Sequence, residues 1–565
     1  ESVESGPAVG LQRWQSGCDS CMLVRSPWCF VTFRLTHKHR DKPAVAPIQS
    51  PRFPFVQQFQ GLMARRITSA LDNSHVSSFA AMVENDCLVP NCTILKLDSD
   101  SFRAPRTAGA LARTLKGLGN LMANLFQPGL YDKLAEHRPD LPLQVATLTR
   151  KLILATCTWL PEKDAAVSSA WPKRPFDLLP SALQPQQTGP GIVTCAGSGQ
   201  LRQVITVLRT LREHLKSDMP VEIVYFDDAD LLRSDRLHLS ARFSHVFFTG
   251  LDQIFPELIS QHFISGWDCK VFAALATRFA QVALLDADAV VIAPPEQFFR
   301  LSGFVEHGAA FFRDRPLPAH NAWTPPWALL DLMDPKPVHK LLHTQPYLDQ
   351  LNHVQDSSLV VLDRERVMLG LLGTASLLGH DAVRVETQDF VLGDKELFWM
   401  GFEIMGVPYR FSKWLAGNLG NVQEATSDTK FPNKLFIPKN CPQIPWKRLP
   451  RHCGHMLQFD DAGNLLFANG GLGVCDHREE TFTWSELLVP TSFVRVAAAS
   501  LPDCYGAYYQ FLDDCGWCLF LEQAQARKVG GKLVHPLPRA VNQSMQGLLQ
   551  ILITMSHNES DRMPT

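Results

Sequence analysis

Between residues 191 and 285, short apolar runs alternate with helical patterns, and this alternation constrains the fold more than any other feature of the chain. The apolar runs have the length of buried strands and occupy residues 191–195, 221–226, 244–248 and 281–285. Helices are predicted over 201–215, where aliphatic residues form one apolar stripe, and over 268–280. We therefore expect an α/β fold with a mostly parallel sheet flanked by helices, in which ligands bind beyond the carboxyl ends of the strands.

The character of the sequence changes three times along the chain, which predicts four regions. Residues 1–107 mix proline, serine, arginine and cysteine without periodicity, as in a stem or linker of low order. Residues 108–187 carry leucines at helical spacing and end in a proline- and glutamine-rich run, which indicates a helical N-terminal subdomain. The catalytic domain is predicted over residues 188–475, and residues 476–565 form a C-terminal extension of unassigned role.

The overall composition excludes one class of partner and favours one compartment. The chain has 565 residues and a formal net charge of -2, so nothing attracts it globally to nucleic acid. Fourteen cysteines, together with glycosylation sequons at Asn91, Asn542 and Asn558, favour the secretory pathway. No apolar run reaches the roughly 18 residues that a membrane-spanning helix needs. Because the chain begins with Glu1 rather than Met, we expect that an anchor could have stood upstream.

The segment with the most chemical information is the pair Asp286 and Asp288, which follows the apolar run 281–285 directly. In an extended or turning backbone, residues two apart can point the same way, so both carboxylates can converge on one divalent cation. Such a cation can stabilise the charge that grows on a diphosphate as a glycosidic bond breaks. The alternative interpretation of Asp286 and Asp288 is a solvated turn after a core strand.

Several separate blocks then occur in a set order over about half of the chain, at residues 191–199, 208–209, 220–223, 270, 286–288, 311–315, 355–358, 393–399 and 453–471. This ordered set resembles the fungal alpha-1,3-mannosyltransferases of glycosyltransferase family 71. The resemblance implies the nucleotide-sugar-binding fold called GT-A, GDP-mannose as donor, manganese (Mn2+) as cation and an alpha-mannoside glycan on protein as acceptor. It also implies a Golgi membrane protein with a luminal catalytic domain, association with the membrane through an N-terminal anchor, and complexes with other mannosyltransferases.

Carried over residue by residue, the resemblance assigns Asp286 and Asp288 to the metal and to the ribose and diphosphate of the donor. His455 is the candidate third metal ligand, with His452 next. The position just before Phe459 holds Gln458, where a histidine would have fitted the pattern better. The alternative for either histidine is a hydrogen-bonded structural role.

The remaining candidates lie at predicted strand ends and helix starts. The catalytic candidates are Asp356, Asp394 and Glu396, with a turn cap and a helix N-terminus as the structural alternatives for these acidic residues. The candidates for binding the donor are Gly197, Asp227 and Lys270, in addition to Asp286 and Asp288. Lys270 would neutralise phosphate or extend its ammonium group to solvent from an amphipathic helix. Trp399 would pack in the core or stack on a sugar ring.

Three questions stay open from the sequence. Transfer between alpha linkages would retain the anomeric configuration, yet no residue is assigned as a nucleophile. Zinc is not expected, because the pairs Cys18–Cys21 and Cys515–Cys518 lack partner ligands nearby, whereas Cys441, Cys453 and Cys475 could include a disulfide. The rival functions are a catalytically inactive paralogue that binds glycan or stabilises a complex, and a GT-A transferase that uses another nucleotide sugar.

Overall fold

A computed structural model describes residues 108–126, 141–157, 172–260, 266–315, 353–379, 393–423, 450–470, 489–498, 509–512, 516–520 and 534–557, with a few further single positions. The predictions for residues 1–107, and those for Cys441 and Cys475, lie outside these residues.

The described residues form helices and strands that alternate in the first half of the chain and are mainly strands in the second half. The helices are α1 (Ala108–Leu125), α2 (Leu141–Thr156), α3 (Leu201–Arg209), α4 (Arg233–Arg242), α5 (Pro256–Ser260), α6 (Cys269–Ala276), α7 (Ser302–His307), α8 (Arg364–Gly379), α9 (Leu397–Met405) and α10 (Arg539–His557). The strands up to Phe411 are β1 (Gln187–Cys195), β2 (Val221–Tyr225), β3 (Val246–Gly250), β4 (Phe279–Leu285), β5 (Val290–Val291), β6 (Ala309–Arg313), β7 (Gln355–Asp363) and β8 (Arg410–Phe411). The later strands are β9 (Gly417–Gln423), β10 (Arg451–Phe459), β11 (Leu465–Asn469), β12 (Ser492–Val494), β13 (Tyr509–Leu512), β14 (Gly516–Phe520) and β15 (Val534–Pro536).

The first sheet has seven strands in the order β3-β2-β1-β4-β7-β6-β8. Strands β1 to β4 pair in parallel, and β6 is parallel to β8, whereas β7 runs antiparallel to both of its neighbours. Six of the seven strands therefore point the same way, which confirms the predicted mostly parallel sheet. Helices cover the inner strands of this sheet, as in β2, where all five residues are buried.

Several predicted boundaries differ from the structure: β1 begins at Gln187 rather than at residue 191, and β3 covers Val246–Gly250 rather than 244–248. The helix that precedes β4 shows a physical reason for such a difference. The helix was expected to continue to residue 280, but α6 ends at Ala276 and β4 begins at Phe279. The reason is the buried carboxylate of Glu222, which accepts hydrogen bonds from the Thr277 hydroxyl group and from the Arg278 backbone N–H at 3.0 Å. These side-chain bonds replace the helical ones and turn the chain into the strand.

The second sheet is antiparallel and has eight strands, β13-β14-β10-β9-β12-β15 with β11 and β5 attached through β10. Strand β5 begins two residues after Asp288, so the candidate metal-binding pair lies where the chain passes from the first sheet to the second. Residues 476–565 contribute four strands and α10, and thus share this sheet with the predicted catalytic domain. Cys453 and Cys518, opposite each other on β10 and β14, form a disulfide.

The helical N-terminal segment packs on the same body. Gly119 of α1 lies so close to α9 that an added Cβ would stand 2.7 Å from the carbonyl oxygen of Met405. Trp159, just after α2, contacts Phe255 and Phe272 edge to face or at a tilt. Among the described residues, the helices are either too short or too polar to cross a bilayer.

Candidate active site

The candidate site lies at the carboxyl edge of the parallel strands, where β4 ends. The turn after β4 is fixed by two backbone bonds, from Asp286 N–H to Ser358 O at 2.9 Å and from Ala289 N–H to Asp286 O at 3.1 Å. Asp286 and Asp288 are both partly exposed in this turn, while Leu285 before it and Ala289 after it are buried. The apolar flanks therefore hold a short polar turn at the surface, with its backbone pinned to β7.

Lys270 is the centre of the charge network beneath this turn. Its ammonium Nζ lies 2.8 Å from Asp286 Oδ1, 3.2 Å from Asp394 Oδ2 and 3.1 Å from Ser357 Oγ. The residue is only 5% exposed, so it does not extend to solvent as one interpretation of the sequence had it. Burial alone would lower the pKa of Lys270, but the carboxylates of Asp286 and Asp394 outweigh burial and raise it. Lys270 is thus a permanently charged group that orients two carboxylates.

The carboxylates around Lys270 carry more negative charge than one lysine offsets. Burial and the like charge of Asp286 raise the pKa of Asp288 to about 7. Burial raises the pKa of Asp394 to about 6 against the opposing effect of Lys270, and Asp286 again adds to the increase. Asp286 contributes to the raised pKa of both Asp288 and Asp394, so these two acids need a further cation nearby to remain ionised, which a metal or a positively charged ligand would supply.

A second network of charged and amide groups lies beside the first, around Asp356. Its carboxylate accepts hydrogen bonds from the Ser358 backbone N–H at 3.0 Å, from the Ser358 hydroxyl at 2.7 Å and from Gln458 Nε2 at 2.8 Å. Lys395 Nζ lies 2.9 Å from Asp314 Oδ2. Although burial opposes it, the positive charge of Lys395 leads the groups that hold the pKa of Asp314 at about 2.

Two predictions about this region need correction. Asp356 was expected at a strand edge rather than within a core, but it is the second residue of β7 and is fully buried. The cause is that Ser358 and Gln458 supply the donors that a buried carboxylate requires. Trp399 is also fully buried and donates to Glu396 Oε2 at 2.5 Å, so the interpretation as packing is correct and the sugar-stacking one is not.

Glu396 joins helix α9 to the start of β7. Its Oε1 accepts from the Val354 backbone N–H at 2.9 Å, and its other oxygen binds Trp399. Asp356, Asp394 and Glu396 are 0 to 2% exposed. In this conformation the three catalytic candidates therefore hold neighbouring groups in place, whereas Asp286 and Asp288 are the partly exposed acids near Lys270.

Gly197 and Asp227 lie at the same edge, after β1 and β2. A Cβ on Gly197 would stand 2.1 Å from Asp230 Oδ1, so only glycine lets the two loops approach this closely. Asp227 Oδ1 accepts from the backbone N–H groups of Ala229 and Asp230, both at 2.9 Å, which shapes the loop after β2. The structure thus brings both residues to the carboxyl edge and gives each a part in forming it.

The candidate third metal ligand does not join the aspartate pair. Within the described part of the chain, no three His, Cys, Asp or Glu side chains lie close enough together to hold an ion. His452 is buried, lies 3.1 Å from Ser492 Oγ through its Nε2, and has its pKa lowered by burial to about 4. His455 is partly buried and lies against Gly470, where a Cβ would stand 2.9 Å from its Nδ1. Gln458 instead binds Asp356.

The oxygen ligands available at this edge suit a hard divalent cation that is coordinated mainly by a bound diphosphate and only in part by the protein. Carboxylate oxygens are the preferred protein ligands of such ions, and Asp286 and Asp288 offer them in one partly exposed turn. Lys270 occupies one oxygen of Asp286, so the protein would supply few ligands and leave positions open for diphosphate oxygens.

Comparison with known proteins finds a family match over slightly less than half of the chain. Residues 189–444 match the family model described as "Mannosyltransferase putative". Over these residues the chain is similar to that family. Two similar proteins of this kind are "Putative alpha-1,3-mannosyltransferase MNN14" of Candida albicans and "Alpha-1,3-mannosyltransferase MNT2" of Saccharomyces cerevisiae. The first is 27% identical over 53% of this chain and 45% of its own length, and the second is 24% identical over 51% and 53%. The chain thus spans about half the length of these relatives.

Among solved structures, the mannosyltransferase Ktr4p from S. cerevisiae is similar over 50% of this chain and 79% of its own, with 12% identity and a TM-score of 0.26. A likeness of this size carries no structural argument. The similarity to the mannosyltransferase family therefore rests on the sequence match alone, and the architecture rests on the sheet topology described above.

Sequence reasoning did not identify Asp314, Lys395 and Ser357 as members of the site. Asp314 and Lys395 lie in two of the blocks that carried the resemblance, but they are 81 residues apart and nothing in either block indicates the pairing. Ser357 stood next to a named candidate. Its role becomes visible only once β7 is paired with β4 and its side chain reaches Lys270.

Proposed function

We propose that this chain transfers mannose from GDP-mannose to an alpha-mannoside on a protein-linked glycan, with formation of alpha-1,3 linkages and with manganese as the cation. The observation that carries the proposal is the carboxylate pair Asp286 and Asp288, partly exposed at the end of β4 inside the mannosyltransferase domain. The names of the relatives, which are alpha-1,3-mannosyltransferases, support the sugar and the linkage.

In the proposed reaction, the bond from mannose C1 to the diphosphate oxygen breaks and a bond from C1 to the acceptor hydroxyl oxygen forms. The hydroxyl proton leaves with GDP. Asp286 and Asp288 would hold the divalent cation, which when bound stabilises the negative charge on the departing diphosphate. Lys270 fixes the carboxylate of Asp286 at 2.8 Å, so that this ligand is oriented before the donor arrives.

Three buried acidic residues hold the groups around this cation site in position. Asp394 shares Lys270 with Asp286, and Asp356 holds Gln458 and Ser358 at the start of β7. Glu396 fixes the start of α9 against β7. We assign these three residues to positioning and name no nucleophile, since the carboxylates that face a ligand are those of the proposed cation site.

The test is GDP release from GDP-mannose with manganese and alpha-mannobiose, followed by analysis of the linkage in the product. We expect Asp288→Asn to lower the rate by at least about 100-fold, because a carboxylate that holds the cation is lost. Asp363→Asn is the matched control, since Asp363 ends β7 at the opposite edge of the same sheet, paired with Gln281 at the start of β4. Equal rates for wild type and Asp288→Asn would contradict the proposal.

A second candidate function is a catalytically inactive paralogue that binds glycan or stabilises a complex. The observation in its favour is that the described residues hold no third ligand and that Gln458 binds Asp356 instead. The same assay separates the two functions, because an inactive paralogue releases no GDP above an Asp286→Ala variant. A thermal-shift comparison of GDP with UDP tests the further alternative of another nucleotide sugar.

We place the protein in the Golgi lumen, attached to the membrane by an N-terminal anchor and associated with other mannosyltransferases. The disulfide Cys453–Cys518 supports the luminal part, because disulfides persist in oxidising compartments. Protease protection of the tagged full-length product in intact microsomes tests the topology, and cleavage without detergent would contradict it. Co-purification with other mannosyltransferases under mild detergent tests the association.

A further inference from the structure

Trp267 is an exposed tryptophan at the edge of the candidate site. Its side chain is 55% exposed, although large aromatic side chains are usually well buried. It lies in the short turn Gly266–Asp268, which leads into α6, and it precedes Lys270 by three residues. Because α6 leads into β4, its first turn lies at the carboxyl edge of the sheet, where Asp286 and Asp288 also lie.

Backbone contacts hold the indole ring in place. Gly393 lies against it, and a Cβ there would stand 2.9 Å from Trp267 Cε3. Gly393 has φ +63°, a conformation that glycine adopts readily and other residues rarely. The next residue in the chain, Asp268, is buried, and its Oδ2 lies 3.0 Å from Arg384 Nη2. The ring is therefore fixed by its neighbours and yet more than half open to solvent.

The position of the ring connects it to the charge network. The residue after Gly393 is Asp394, whose carboxylate binds Lys270, which in turn binds Asp286. Residues three apart on a helical turn have Cβ atoms about 5–6 Å apart, so the indole lies roughly one side-chain length from this network. A ligand that touches the ring is thus within reach of the proposed cation site.

The acidic residues near the indole ring indicate which kind of ligand it can contact. The ring lies against Gly393, the neighbour of the buried acid Asp394, so an uncharged ligand suits this position better than a phosphate. A sugar ring has an apolar face of C–H groups and a rim of hydroxyl groups, which suits an aromatic face with acidic residues nearby.

We propose that Trp267 is the platform on which the acceptor mannose stacks, so that it determines acceptor affinity without taking part in the chemistry. The inference rests on the proposed transferase function. The residue makes an uncharged contact that is present in the ground state and in the transition state alike. Its loss should therefore raise the KM of the acceptor and leave kcat largely unchanged.

The test measures steady-state kinetics on the full chain with GDP-mannose and alpha-mannobiose. We expect Trp267→Ala to raise the acceptor KM at least about fivefold and Trp267→Phe to retain most of the affinity. The KM of GDP-mannose and the slow hydrolysis of GDP-mannose without acceptor should change less than twofold. Gly393→Ala should also raise the acceptor KM, because the added Cβ displaces the ring. Leu237→Ala, at a 60% exposed site on α4, is the matched surface control.

The possible outcomes separate this inference from the function on which it rests. If wild type transfers mannose and Trp267→Ala keeps a normal acceptor KM while it stays folded, the platform is wrong and the transferase stands. If Trp267→Ala instead raises the KM of GDP-mannose, the ring binds the donor and the acceptor assignment is overturned. If wild type transfers no mannose from GDP-mannose, the proposed function fails first. Retained affinity in Trp267→Phe excludes a mere folding defect.

Discussion

The two edges of the parallel sheet differ in how fully their buried charged side chains are paired. At the amino edge, the guanidinium of Arg364 is fully buried and donates to the carbonyl oxygens of Leu183, Leu275, Thr277 and Phe279. Glu222 is equally buried, and donors from Thr249, Thr277 and Arg278 surround it. At this edge, each of these two charged side chains has several partners from different segments of the chain.

At the carboxyl edge, acids are packed beside acids. Asp286 and Asp394 share Lys270, with Asp288 beside them, and the pKa of Asp288 and of Asp394 is raised by burial and by their acidic neighbours. Such an arrangement costs folding free energy unless a cation joins it. The comparison indicates that the charged side chains at the amino edge stabilise the fold. Those at the carboxyl edge need a positively charged ligand to balance their negative charge.

The largest expected effect is at the amino edge. Arg364→Met should lower the free energy of unfolding by at least about 4 kcal/mol, because it leaves several buried carbonyl groups without a donor. Urea denaturation followed by circular dichroism measures this. Arg410→Met, whose ion pair with Glu306 is almost half exposed, is the control and should cost about 0.5 kcal/mol or less. A loss below about 1 kcal/mol for Arg364→Met would remove the distinction between the edges.

The second largest loss of stability is expected for the substitution of Lys270. Lys270→Met should destabilise the protein by about 3 kcal/mol, since Asp286 and Asp394 would then face each other without a counter-ion. In an Asp394→Asn background the same change should cost at least about 1 kcal/mol less, because one of the two charges is gone. Urea denaturation of the four proteins in this double-mutant cycle gives the coupling. Strictly additive effects would show that Lys270 does not hold the acids together.

A smaller effect, an increase in stability, is expected for the substitution of Asp394 alone. The pKa of Asp394 is raised from 3.8 to about 6 in the folded protein, so stability is lost as pH rises through this window. Asp394→Asn removes that loss and should stabilise the protein by about 2 kcal/mol at pH 7.5, but by almost nothing at pH 4. Thermal unfolding at both pH values measures the difference. A variant less stable than wild type at pH 7.5 would contradict the view that this edge is strained.

The sequence predicted much of the fold because periodicity is a local property. The strand at Gln281 to Leu285, the helix before it and the amphipathic helix after β1 followed from apolar spacing, and their alternation implied the mostly parallel sheet. The end of α6 could not be predicted, because it depends on Glu222, more than 50 residues earlier in the chain. The ion pair of Asp314 with Lys395 could not be predicted for the same reason, because the two residues are 81 positions apart in the chain.

For the site, sequence reasoning found the residues but not their surroundings. Asp286 and Asp288 were predicted because they follow an apolar strand, and the structure places them at the surface of the expected edge. Burial of Asp356 and the charge role of Lys270 depend on β7 and α9, which approach only after folding. Trp267 was not considered, since no local pattern distinguishes an exposed tryptophan from a core one.

The most direct test of the central claim is the binding of GDP with and without manganese, measured by isothermal titration calorimetry on wild type and on the Asp286→Asn/Asp288→Asn variant. We predict that manganese strengthens GDP binding to the wild type at least about tenfold and has no such effect on the variant, because the carboxylates that hold the cation are missing. An equal effect of manganese on both proteins, in a variant that remains folded, would contradict the account.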